Sequence, residues 1–248
     1  MSDSNTGIAE HNSPWARVPV GLEESEGGYV HAHALTIPGL MTTGSGAEDA
    51  LGAFQRMLPR WLGLLADIGE PLPSPDQEID IVVDEWVTTD GAVAAGETDA
   101  FFRADEVPLT DAEIRRGLAL IGEMRAPLLP RIRRAKDEEL EGIPAGDTHV
   151  RLVLDELARA QWWLLTRLGA SPLGLVPDTA VGRLDTAMAL AIDRLAHLPM
   201  DARGQVVELD GERWSPRKVL RRMVGVEATL GDLALRALQR HAGADHLP

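Results

Sequence analysis

The 248-residue chain is predicted to be an α+β protein in two parts: a small β-β-α-β unit, then four antiparallel helices. Three observations carry this. Two β-rich runs flank the turn Ser25-Glu26-Gly27-Gly28 near the start; apolar residues in the second half recur at helical spacing; and a Gly-containing, acidic stretch separates the halves. The expected organisation is a tail over 1–13, an α/β domain over 14–88, a linker over 89–107 and the helices over 108–248.

Residues 1–13 are polar. The runs 15–23 and 29–37 read as a hairpin, and Pro19 should place the first at a sheet edge, because proline cannot donate to a ladder. Pro38-Gly39 and Thr42, Thr43, Gly44 and Gly46 read as a loop. A helix over 47–68 carries the apolar face Leu51, Phe54, Leu58, Trp61, Leu62 and Leu65, which Pro59 should bend or interrupt. Residues 79–87 form a third strand. Within the linker, the adjacent Phe101 and Phe102 should pack against something.

Thr110-Asp111-Ala112-Glu113 is a capping box opening a helix over 110–134, kinked at Pro127 and Pro130. The second helix spans 147–168 and the third 179–198, the latter burying Leu184, Met188, Ile192 and Leu195. A short extended piece over 205–209 precedes the turn Asp210-Gly211. The last helix starts at Ser215, which can N-cap, with Pro216 where a missing N–H costs nothing. Val219, Met223, Val226, Leu230, Leu233 and Ala237 then share one face, as ordinary core. Arg217, Lys218, Arg221, Arg222 and Arg236 fall mostly off that face, toward solvent.

A formal net charge of −15 argues against a nucleic-acid surface, which needs clustered Lys and Arg. With no cysteine there is no disulfide and no thiol nucleophile. No apolar run is long enough to cross a bilayer, and the tail lacks an export pattern, so a cytoplasmic location is expected.

Trp214-Ser215-Pro216-Arg217-Lys218-Val219-Leu220-Arg221-Arg222 resembles the start of the last core helix of the DinB-like superfamily. These four-helix proteins include metal-dependent thiol transferases and related isomerases. In the second helix, Arg151, Leu154, Leu157-Ala158, Ala160 and Gln161-Trp162-Trp163 resemble another of its motifs. Over about 108–242 the resemblance implies an antiparallel four-helix bundle and, as relatives often pair, a homodimer. It places the family's three metal histidines at Glu156, Val226 and Leu230, with only Glu227 kept between the last two. Histidines at such positions meet one divalent ion, whereas Val and Leu supply no lone pair. Residues 15–87 resemble the HicB-like fold through Ile37-Pro38-Gly39-Leu40 and Ala47-Glu48-Asp49-Ala50-Leu51, with Leu40 replacing the usual Cys. No basic helix-turn-helix follows, as it does in full HicB antitoxins.

The candidate pocket is Glu156, Trp162, Trp163, Val226, Glu227 and Leu230. Core packing is the default for both tryptophans. Asp155, Glu156, Glu227 and Asp232 offer carboxylates for a harder ion, but the plainer expectation is solvated helix charge. His31 and His33 alternate on one strand face and are expected at the surface; His149 is expected near a helix cap. No histidines make H-E-x-x-H, Gly44-Ser45-Gly46 is no nucleotide loop, and Arg131, Arg133, Arg134 and Lys136 read as a salt-bridged surface. The expected function is a non-metal, non-catalytic protein, without cofactor, that binds a small molecule or a protein. The alternatives are a zinc- or nickel-dependent thiol transferase or isomerase with an altered site, and a HicB-like antitoxin-type interaction protein.

Overall fold

The computed structural model describes residues 13–91, 93, 96–170 and 176–244; residues 1–12 of the expected tail, with His11 and His246, lie outside them. Ser13 is buried, and its hydroxyl donates to the Pro71 carbonyl at 3.0 Å. The N-terminal part runs β1 (Arg17–Ser25), β2 (Val30–Ala34), β3 (Met41–Gly44), α1 (Ala47–Asp67) and β4 (Asp80–Thr89). The sheet order is β3-β2-β1-β4; β1 is antiparallel to β2 and parallel to β4.

Three expectations are corrected here. The stretch read as a loop contains β3, four residues whose Thr42 hydroxyl donates to the Ala50 carbonyl at 2.8 Å and ties the strand to α1. Despite Pro19, β1 lies inside the sheet. Proline is tolerated because β2 is already ending: the Pro19 carbonyl still accepts from Leu35 N–H at 2.9 Å, so only that last rung lacks a donor. Finally, of the bend or interruption expected at Pro59, the interruption is absent: α1 runs on to Asp67.

Strand alternation divides the sheet into two faces. Leu22, Ala32 and Thr42 lie in one cross-strand row and face α1. Glu23, His31 and Thr43 form the opposite row, next to Gly21, His33 and Met41. This second face is covered too. A Cβ on Gly21 would lie 2.5 Å from the ring of Phe102, so the glycine is what lets that buried ring close over the sheet. The expected packing of the linker phenylalanines is observed for Phe102, while Arg213 stacks 4.1 Å from the Phe101 ring.

The C-terminal part contains α2 (Asp111–Arg125), α3 (Leu129–Ile132), α4 (Asp137–Glu141), the two-residue pair β5 (Pro144–Ala145) and β6 (Thr148–His149), α5 (Val150–Thr166), α6 (Ala180–Ala196), β7 (Val207–Leu209), β8 (Glu212–Trp214), α7 (Pro216–Val226), a π-helical turn Glu227–Gly231 and α8 (Asp232–Ala244). Thr110 caps α2 by accepting Glu113 N–H at 3.2 Å, and Glu113 accepts Thr110 N–H at 2.9 Å. Ser215 caps α7 from Lys218 N–H at 3.2 Å, and His149 caps α5. Around Pro127 and Pro130 the chain breaks into α2 and α3 rather than kinking one helix. Asp210 (φ 57°) and Gly211 (φ 80°) form the tight turn joining β7 and β8. In α6 the buried line is Ala180, Leu184, Ala187, Ala191 and Leu195; Ile192, expected inside, lies off that line and is exposed.

α5 packs along α6, α7 and α8, and α2 packs against α6 and α7. One continuous apolar core holds Val20, Leu22, Phe54 and Leu65 together with Leu120, Val219, Leu220 and Met223. A second core gathers Leu128, Val150, Leu154, Leu184 and Leu238. Between the halves, Gly39 (φ 83°) sits against α7, where a Cβ would lie 2.7 Å from the Gly225 nitrogen. Among the described residues no helix is long and apolar enough to cross a membrane.

Candidate functional site

α7 is covered on both sides, and that decides where its side chains go. At about 100° per residue, Glu227 lies on the same arc as Val219, Leu220, Met223 and Val224, which faces the other helices. Val226 lies at the edge of that arc, Leu230 belongs to the π turn that follows, and both are only partly buried. The reading of these two as ordinary core holds only in part: they pack against the apolar cores but stay partly buried, and Glu227 between them takes the interior position. Lys218 and Arg221, expected in solvent, are also buried, because the opposite side of α7 meets the second face of the sheet and residues 98–105. The exposed Arg236, paired with Asp232, fits the expectation.

The interior carboxylate is fully engaged. Glu227 accepts Arg125 Nε at 2.9 Å on Oε1 and Arg125 Nη2 at 2.8 Å on Oε2; Gln161 Nε2 adds a bond of 2.7 Å to Oε2. Arg125 Nη2 also donates to Gln161 Oε1 at 2.8 Å. The triad is buried and closed on itself. The neighbouring carboxylates are likewise paired with arginine: Asp155 with Arg183, Asp232 with Arg60, and the exposed Glu156 with Arg159. Among the described residues no cluster of three or more His, Asp or Glu is disposed to hold a metal ion.

A second polar network lies where the sheet meets α7. Glu23 Oε2 accepts His33 Nε2 at 2.9 Å and the Thr98 hydroxyl at 2.6 Å, while Oε1 accepts the backbone N–H groups of Asp99 and Ala100 at 2.7 and 2.9 Å. Arg221 Nη1 lies 3.2 Å from His33 Nδ1, and its Nε and Nη2 donate to Asp105 at 3.3 and 2.8 Å. Since arginine can only donate, His33 Nδ1 must accept; the ring is neutral, with its proton on Nε2 toward Glu23. His31 is equally committed, between the Glu97 carbonyl at 2.9 Å and the Thr43 hydroxyl at 2.8 Å. The surface placement expected for both histidines is corrected: the polar row of a two-faced sheet is buried by the second half of the chain.

Burial holds the His33 pKa down at about 4, against the opposing pull of its bond to Glu23. Burial also acts to raise Glu23, but the His33 bond and charge, the Thr98 hydroxyl and the Asp99 amide outweigh it and bring Glu23 to about 2. The sign of the acid response follows. As pH falls below the ordinary histidine value of 6.5, the unfolded chain takes up a proton that folded His33 refuses until about pH 4, so stability falls across that window. Below the ordinary carboxylate value of 4.5, Glu23 adds a second loss that ends near pH 2. The first window is expected to remove about 3 kcal/mol, and the two are not additive because the groups share a hydrogen bond. Urea unfolding at successive pH values measures it; His33→Gln should flatten the upper window, and an equal slope in that variant would rule the assignment out.

Beside this network a cleft of about 430 Å³ opens between the sheet and α5, α7 and the π turn. His33, Arg221 and Thr98 line it at the sheet junction; Leu40 comes from the β2–β3 connection and Met41 from the start of β3; Glu156 and Ala160 come from α5; Arg222, Val226 and Leu230 come from α7 and the turn that follows. Three of the six predicted pocket residues, Glu156, Val226 and Leu230, therefore share one cavity. Glu227 does not, because it points into the triad. Trp162 is partly buried with its indole N–H unpartnered, away from the cleft. Trp163, expected in the core, is 40% exposed; it meets Trp214 edge-on at 5.2 Å and carries the Arg167 guanidinium 4.4 Å above its ring. A helix that buries Leu164 and Leu165 has no interior place left for its neighbour.

His33, Arg221, Arg222, Leu40 and Met41 escaped the sequence reading. One signal was present: in Val20-Gly21-Leu22-Glu23 and Val30-His31-Ala32-His33, the second face of each strand is polar while both runs remain β-rich. Comparison with protein-family models, with curated proteins and with solved structures finds no match to this chain.

Proposed function

We propose that this protein is a non-metal, non-catalytic member of the DinB-like superfamily, its four-helix bundle fused to a HicB-like module, and that it binds a small molecule in the cleft beside Val226 and Leu230. The observation that carries the reading is the cleft itself: the positions where the family would hold its metal line a cavity of about 430 Å³, within the size range of small-molecule sites. Its walls combine the apolar Leu40, Met41, Ala160, Val226 and Leu230 with a few polar groups, the composition such sites use. Among the described residues, the ionisable groups at the cleft are engaged: Glu156 is paired with Arg159 and Arg221 with Asp105. Both nitrogens of His33 and of His31 are occupied, and Glu227 is closed off by Arg125 and Gln161.

A neutral apolar fluorophore, N-phenylnaphthylamine, tests the reading. The protein should bind it saturably at one site, and Ala160→Trp, which fills the cleft from α5, should abolish the signal with little change in the thermal midpoint. Binding that survives Ala160→Trp places the site elsewhere and overturns the proposal. Near-stoichiometric zinc or nickel in the purified protein would overturn its non-metal part.

A further inference from the structure

The charges around the cleft do not balance evenly among their partners. Asp105 is taken by Arg221 through two bonds. Glu23 is saturated by His33, Thr98 and two backbone amides. Glu212 is shared: it pairs with Lys218 Nζ at 2.7 Å and with Arg222 Nη1 at 3.2 Å. Lys218 also donates to the carbonyls of Asp99 and Arg213 at 2.8 and 3.0 Å, so it holds Glu212 closely. Arg222 is left with the longer contact, and its planar group lies 5.3 Å from the Trp163 ring and 5.1 Å from the Trp214 ring. Arg222 is also one of the residues lining the cleft, one turn from Val226 and beside the apolar Leu40, Met41, Ala160 and Leu230 and the polar Thr98, Arg221 and Thr229.

From this geometry we infer that the cleft selects an amphipathic carboxylate, with the anionic head at Arg222 and the apolar body along Val226, Leu230, Leu40 and Met41. A carboxylate would give Arg222 the counterion that Glu212 supplies only in part, through a planar pairing that guanidinium favours. Burial lowers the Arg222 pKa, and the neighbouring Arg221 charge lowers it further, against the pull of Glu212, Asp99 and Glu23. Glu156, exposed and already paired with Arg159, also lines the cleft and brings the opposite sign to it. The head is therefore directed to Arg222, and a second carboxylate near Glu156 is disfavoured.

The inference rests on the cleft being the binding site, and the test separates the two. Octanoate, octanol and octylamine share one apolar body and differ in head group. Titrated calorimetrically into the full chain, octanoate should bind at least about tenfold more tightly than octanol, and octylamine more weakly than either. Arg222→Gln should bring octanoate down to the octanol level and leave octanol unchanged. Glu212→Gln, which releases Arg222 from its shared partner, should tighten octanoate. Opposite responses in the two variants cannot arise from loss of folding. Equal affinity for octanoate and octanol, with both lost in Ala160→Trp, overturns the carboxylate inference and leaves the cleft reading standing. Binding of all three compounds that ignores Ala160→Trp, or no binding by any of them, overturns both.

Discussion

Glu227→Ala is expected to lower the free energy of unfolding by roughly 3–5 kcal/mol, the range for breaking a buried ion pair from one side. Glu227 is fully buried and receives three hydrogen bonds from Arg125 and Gln161. Without it, the Arg125 guanidinium keeps its charge, with only the Gln161 oxygen and, at 3.4 Å, the Leu184 carbonyl as acceptors. The cost is the stranded cation more than the lost bonds. The double variant Arg125→Met with Glu227→Leu should therefore recover most of the loss, since apolar replacement of a whole buried pair is often neutral or stabilising. Urea unfolding of the two single variants and the double variant gives the coupling directly. The loss should be the same with a chelator present, because the partner of Glu227 is an arginine. A chelator-dependent loss would restore a metal to this position.

Arg221→Met is the second large effect, again about 3–5 kcal/mol, and it differs in having a second readout. Arg221 joins the halves of the chain by binding Asp105, the Ala100 carbonyl and His33 at once. Its removal strands Asp105, which retains only the Phe102 N–H at 3.0 Å, and leaves His33 Nδ1 without a donor. It also removes a positive charge that depresses His33. The His33 pKa should thus rise from about 4 toward 6.5, shrinking the upper acid window as total stability falls. An NMR titration of the imidazole follows the first change and denaturation the second. A destabilised variant with unchanged His33 titration would show that Arg221 does not touch the ring.

What the sequence displayed clearly was local. The caps at Thr110 and Ser215 depend on residues three positions apart, and the strand and helix spans depend on periodicities of two and 3.6. Even so, β3 was hidden, because four residues next to Pro38-Gly39 carry no periodic signal. The role of Pro19 was misread for a related reason: whether its missing donor matters depends on where β2 ends, and that is set by pairing.

Half of the candidate site was legible and half was not. Val226, Leu230 and Glu156 could be singled out from their places in a motif, and they do share a cleft. Which of Val226 and Glu227 turns inward was not legible, because the two are adjacent on a helix with neighbours on every side, and periodicity favoured the apolar one. Arg125 and Gln161, which reverse that preference, lie 102 and 66 residues from Glu227.

By itself, then, the sequence determined the α+β composition, the positions and caps of the main helices, and the alternation that puts His31 and His33 on one strand face. Only the tertiary structure decided that these histidines, Glu23, Lys218 and Arg221 are buried. The physical reason is that a charged group is stable in the interior only where partners converge on it. The two that matter most here, His33 and Arg221, are 188 residues apart along the chain. No local pattern encodes that meeting; it exists once the second face of the sheet closes on α7, and the cleft beside it is formed by the same closure.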